Sequence, residues 1–129
     1  MAVSKISKAE QFHHENKTWE RSLDFFKQEN SYLKMRLAEV VDQVTDNSFL
    51  ALAEQYQNQF ILKDEFMQEL QHDIHEQEAT LKKGFLKDDP APEAKTIKRQ
   101  EKLRNEIEYL EKDFARLRNE FNKYLASLL

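Results

Sequence analysis

The chain has no cysteine, one glycine and two prolines in 129 residues. Without cysteine there are no disulfides, no thiolate metal ligands and no cysteine nucleophile. One glycine and two prolines leave almost no punctuation for strands and tight turns, which excludes an all-β or α/β fold. No apolar run approaches the length of a membrane span. The stretch from Met1 to Phe12 holds none either, so no signal peptide is expected and the protein is expected to be cytoplasmic. Neither sign of charge dominates. Twenty Lys+Arg against 24 Asp+Glu give a net charge of -4, so bulk charge supplies no pull towards nucleic acid or a membrane surface. What is present is 40% hydrophobic and 11% aromatic residues, too many for a disordered segment. The length suits one domain over residues 1–129.

The hydrophobic residues are spaced for helices. Phe12, Asn16, Trp19, Leu23, Phe26, Asn30, Leu33, Leu37, Val40 and Val44 alternate steps of four and three. Phe49, Ala53, Tyr56, Phe60, Lys63, Met67, Leu70, Ile74, Gln77 and Leu81 do the same, and so do Thr96, Gln100, Leu103, Ile107, Leu110, Phe114, Leu117, Phe121, Tyr124 and Leu128. A 3.5-residue repeat keeps one seam turned to a partner helix. Three helices are predicted: A over about 8–44, B over about 49–83 and C over about 92–128. Ser7 and Glu10 form a capping box for the first. Thr45, Asp46, Asn47 and Ser48 are cap and turn formers, and the seam breaks phase across them, which predicts a reversal. Gly84 is placed to end helix B in a left-handed cap, with a loop over 84–91. Asp89, Pro90 and Pro92 suit the cap and first turn of helix C.

A register follows from numbering. In an antiparallel pair of helices A and B turning between Asp46 and Asn47, facing residues have numbers summing to 93, and every seam position then finds a seam partner. For B and C the sum is 177, with the same result. The expected fold is an all-α, up-down-up three-helix bundle with coiled-coil-like heptad packing and a rod about 50 Å long. Its polar seam residues align. Asn16, Gln77 and Gln100 share one layer, where amides can satisfy one another and fix register. Asn30 and Lys63 share another, with Lys63 long enough to reach Asp113 or Glu29.

Catalytic signals are weak. Glu10-x-x-His13 and Glu69-x-x-His72 have the spacing that bridges metals in di-iron bundles, where Glu and His at i, i+3 project into the core. Here the heptad phase puts them on flanks and outer faces, and the glutamates of further helices are missing from the seam. Glu69, His72, His75 and Glu76 are the candidate ligands for a divalent ion on the outside of helix B, set against the ordinary reading of a solvated face. No Gly-rich phosphate loop, no spaced Ser/His/Asp triad and no deep pocket are expected. The chain reads as no enzyme, with no cofactor and no small-molecule substrate.

Two surfaces stand out. Phe25, Tyr32 and Met35 on helix A, and Ile61 and Leu62 on helix B, are large apolar residues outside the seam. They are the candidate interface, set against a seam merely wider than its heptad. Helix B carries the excess acid, with Glu65, Glu69 and Glu76 on its outer face. Helix C sorts its bases into a stripe through Lys95, Lys98, Lys102, Tyr109, Lys112, Arg116 and Lys123, uninterrupted by acid. That stripe is a candidate docking face for an acidic partner, against the usual meaning of a solvated face. Nucleic acid fits it less well, since only Tyr109 interleaves the bases. The expected role is a non-catalytic helical scaffold or adaptor, acting through protein–protein contacts with itself or another helical protein. The alternatives are a metal-binding bundle, ferritin-like or through surface Glu/His pairs, and weak nucleic-acid binding through helix C.

Overall fold

A computed structural model describes residues 7–85 and 91–128. It is an all-α three-helix bundle: α1 over Lys8–Val41, α2 over Asn47–Phe85 and α3 over Ala94–Ser127. None of these helices is long and apolar enough to cross a membrane. The first helix begins as the sequence requires. Ser7 is extended, and its Oγ accepts a hydrogen bond from the Glu10 amide at 3.1 Å. The reversal is also in place, but it falls earlier than expected. Of the four cap formers, Asp46 caps α2: its Oδ1 accepts from the amides of Ser48 (2.7 Å) and Phe49 (3.3 Å). A cap at Asp46 lets α2 start at Asn47, two residues before the expected start.

Three local expectations are corrected. Helix α1 ends at Val41 rather than near 44. Gly84 lies inside α2, and no described glycine has a positive φ, so the left-handed cap is absent there. One glycine in a helix costs only about 1 kcal/mol relative to alanine, and Lys82 and Lys83 in the last turn favour its continuation through their interaction with the helix dipole. Helix α3 begins after Pro92, with extended Glu93 as its cap and Glu93 O accepting from the Thr96 (3.0 Å) and Ile97 (3.1 Å) amides. Asp89 and Pro90 lie outside the described residues.

The seam residues carry the core. Of the three predicted rows, all but Leu128 are buried or half-buried. Leu128 is exposed, and Leu125 fills the last layer instead. Leu128 is the C-cap, past the end of α3, and within the helix a 3.6-residue turn moves the seam of a 3.5-residue repeat from Tyr124 towards Leu125. Tyr124 and Leu125 consequently straddle it. Tyr124 is half-buried and donates its hydroxyl proton to Phe49 O at 3.1 Å. The bundle is therefore aromatic at this end. Phe49 stacks on Tyr124 at 5.4 Å, Tyr56 meets Phe121 edge-on at 5.2 Å, and Phe60 meets Phe121 edge-on at 5.1 Å.

Side-chain pairs confirm the arrangement. Asn30 with Asp64 and Asn16 with Glu78 tie α1 to α2 in antiparallel order. Gln77 with Gln100 and Lys63 with Asp113 tie α2 to α3 in the same way. Asn16 with Gln100, Glu15 with Arg104, and Phe26 with Phe114 align α1 and α3 in parallel.

Candidate functional site

The polar layer is the most organised chemistry in the bundle. Asn16, Gln77 and Gln100 are fully buried. Gln77 Nε2 donates to Gln100 Oε1 (3.0 Å) and to the Thr96 carbonyl (2.9 Å). Gln100 Nε2 donates to Asn16 Oδ1 (2.8 Å), and Asn16 Nδ2 donates to Glu78 Oε1 (2.8 Å). His13 Nδ1 closes the row on Glu78 Oε2 at 2.6 Å. From Gln77 through Gln100 and Asn16, each side-chain amide donates to the next, and the last donates to the Glu78 carboxylate. A branch runs from Gln100 Nε2 to Glu15 Oε1 (2.9 Å), where Arg104 forms a two-pronged pair at 2.7 and 2.8 Å. Burial pushes the Glu15 carboxyl up, but the hydrogen bonds from Arg104 and Gln100 outweigh it and hold the group below its ordinary range.

The sequence placed the three amides and missed Glu15, Glu78, His13 and Arg104. The heptad phase marks those four only as flanking residues. Packing against a neighbouring helix buries Glu78 and half-buries the other three, which no single helix reveals. The second polar layer also divides differently. Asn30 Nδ2 donates to the Phe60 carbonyl (2.9 Å) and to Asp64 Oδ1 (2.6 Å), and Lys34 pairs with Asp64. Lys63 pairs with Asp113, one of its two expected partners, and Arg116 pairs with the same carboxylate at 2.8 Å. Burial raises the Asp113 carboxyl, and the two cations more than reverse this, leaving it below its ordinary range. Apart from Asn30 Oδ1 and Gln77 Oε1, these buried groups are bonded across the helices, which fixes register.

The candidate metal ligands lie on exposed α2. His72 pairs with Glu76 at 3.1 Å, and Asp73, which the sequence reading did not include, completes a group whose ligand atoms lie within 4.8 Å of one another. His75 is turned away towards Glu20 of α1 at 3.8 Å, and Glu69 lies outside that group. His13 is engaged by Glu78, far along the rod from His72. The two Glu-x-x-His pairs are thus not brought together.

The candidate interface residues are all exposed: Phe25 56%, Tyr32 52%, Met35 59%, Ile61 43% and Leu62 60%. The structure divides them. Phe25, Tyr32 and Met35 occupy one side of α1 away from its buried row. Ile61 lines a groove of about 640 Å³ between α1 and α2 with Leu37, Val41, Leu50 and Ala53. Leu62 is one residue on and shares the side of Phe66, four residues later, which meets Tyr109 of α3 edge-on at 6.3 Å.

The basic stripe is real as a row of positions and partly neutralised as a charge. Lys95 lies 3.6 Å from Glu93, and Lys102 lies 3.7 Å from Glu106. Arg116 is held by Asp113 and Glu120, which favour its charged form. Lys98, Lys102 and Tyr109 line a shallow cleft with Phe66, Asn105 and Glu106. Lys112 and Lys123 are exposed further along. No family model matches this chain, and comparison with curated proteins and with solved structures returns no match.

Proposed function

We propose that the chain is a non-catalytic, cytoplasmic helical scaffold or adaptor with coiled-coil-like packing, and that it self-associates through the outer side of α1. The observation that carries this reading is the exposure of Phe25, Tyr32 and Met35 beside a seam that is already filled. Burying each large side chain contributes roughly 1.5–3 kcal/mol, and a symmetric contact counts each residue twice, enough to offset association entropy. Another helical protein could use the same side. The interior supports a structural role, since most of its polar groups bond one another across the helices.

Light scattering on wild type and on Phe25→Glu/Tyr32→Glu tests it. The wild type should exceed monomer mass at high micromolar concentration, and the variant should lose mass while keeping its helicity. A wild-type monomer would remove the proposal. Unfolding of the variant would assign these residues to the intrachain core instead. Stoichiometric Fe, Mn or Zn in the purified protein would favour a metal-binding bundle and overturn the reading from another direction.

A further inference from the structure

On the far side of the bundle from α1's exposed apolar row, α2 and α3 form a second face with a different chemistry. Its middle is apolar: Leu62 and Tyr109 are exposed, and Phe66 lies half-buried against the Tyr109 ring. Further along the rod, towards the layer of Gln77 and Gln100, Glu69, Asp73 and Glu76 form an acid rail on α2, and Lys98 and Lys102 form a base rail beside it on α3. Asp73, Glu76, Lys98 and Lys102 line one cleft, yet among the described residues these two rows are not bonded to each other. Glu76 is engaged by His72 of its own helix, and Lys102 by Glu106 of its own helix. A face with an acid rail beside a base rail and an apolar patch further along the rod does not fit a polyanion, which the acid rail repels. It fits a surface carrying the same pattern in mirror order.

We infer that the α2/α3 face docks a second copy of this chain about a two-fold axis parallel to the rod. That axis lays α2 of one protomer over α3 of its partner at equal height. Facing residues then keep the sum near 177 that relates α2 to α3 within the chain, so Glu76 comes level with the span from Lys98 to Lys102 on the partner, and Tyr109 comes level with the turn that follows Phe66. A two-fold axis across the rod would instead stack acid on acid and base on base, so charge selects the parallel axis. The size is sufficient. Two helices about 50 Å long and about 10 Å apart present a face of roughly 800 Å² per protomer once their flanking side chains are included, the scale of a stable dimer. This inference rests on the reading of the chain as self-associating and adds a face distinct from that of α1. With one such face on each side of the bundle, copies can stack laterally.

A charge-swap complementation decides it. Glu69→Lys/Glu76→Lys makes both rails basic, and Lys98→Glu/Lys102→Glu makes both acidic. All four positions are exposed, so folding is checked by circular dichroism and should be retained. Both pairs are introduced into the Phe25→Glu/Tyr32→Glu background, which removes the α1 side. In that background the unswapped protein should dimerise, and each swapped variant alone should dissociate about tenfold more readily or worse. Mixed together, the two swapped variants should form a heterodimer, seen by sedimentation with one chain labelled, and high salt should weaken it. Self-pairing of either swapped variant at the unswapped strength overturns the inference, as does a mixture that stays monomeric. If the α1 variant is already monomeric, this face falls while the α1 proposal stands; a dimer unaffected by the α1 change but abolished by each swap has the opposite meaning.

Discussion

Glu15 and Asp113 show how a carboxylate is kept charged on the edge of a helical core. Each loses solvation, and each regains more from a cation that only the bundle supplies: Arg104 from α3 for Glu15, and Lys63 from α2 for Asp113. Their folded-state carboxyls lie below their ordinary values of 4.5 and 3.8. On acidification the unfolded chain therefore takes up these protons first. The stability they contribute is complete above about pH 5 and is lost as the pH falls below 4.5 and then through the lower folded-state values. Urea midpoints should fall between about pH 5.5 and 3, and Glu15→Gln should flatten part of that dependence. A wild-type midpoint constant across this range would contradict the assignment. At the same scale, Asn30 and Gln77 each keep one buried side-chain oxygen without a protein partner, Asn30 Oδ1 and Gln77 Oε1. Their amide nitrogens are fully committed, so both residues act here as donors.

Elements are bounded by particular chemistry. Asp46 accepts from two amides and so sets the start of α2, while the four cap formers Thr45, Asp46, Asn47 and Ser48 were equivalent in sequence terms. Gly84 makes a clear test of where α2 ends. It has no positive φ, so alanine fits its backbone and removes unfolded-state freedom. Gly84→Ala should raise stability by about 0.4–1 kcal/mol in chemical denaturation. A loss of comparable size would mean that the residue is a left-handed cap after all.

The molecule as a whole is a rod with unlike ends. The main hydrophobic cluster runs from the aromatic end as far as Trp19, Ile74 and Leu103. Beyond the layer of Asn16, Gln77 and Gln100 lies a separate small cluster of Ala9, Phe12 and Leu81, with Ile97 packed on it. A polar layer transmits less packing energy than an apolar one, so the far end should open without the rest. Amide hydrogen exchange should show weaker protection around Phe12 and Leu81 than around Phe60, Leu70 and Phe114. Equal protection in both regions would show that the polar layer couples the clusters instead of dividing them.

The helix count, the antiparallel register and most of the buried rows were legible in the linear order, because a heptad seam is a local periodicity and a hairpin register is a matter of numbering. The shared layer of Asn16, Gln77 and Gln100 and the reach of Lys63 to Asp113 followed from the same arithmetic. Tertiary structure decided the rest. Leu128 was left exposed because α3 ends at Ser127, while Glu78 was buried and Glu15 and Arg104 half-buried because a neighbouring helix packed against their flank. Ile61 and Leu62, neighbours in the chain and grouped as one surface by sequence, were parted by the 100° that separates consecutive residues on a helix. One was left towards α1 and the other on the side that meets α3. Periodicity says which residues of a helix leave the solvent; only the packing of three helices says which of the remainder face one another.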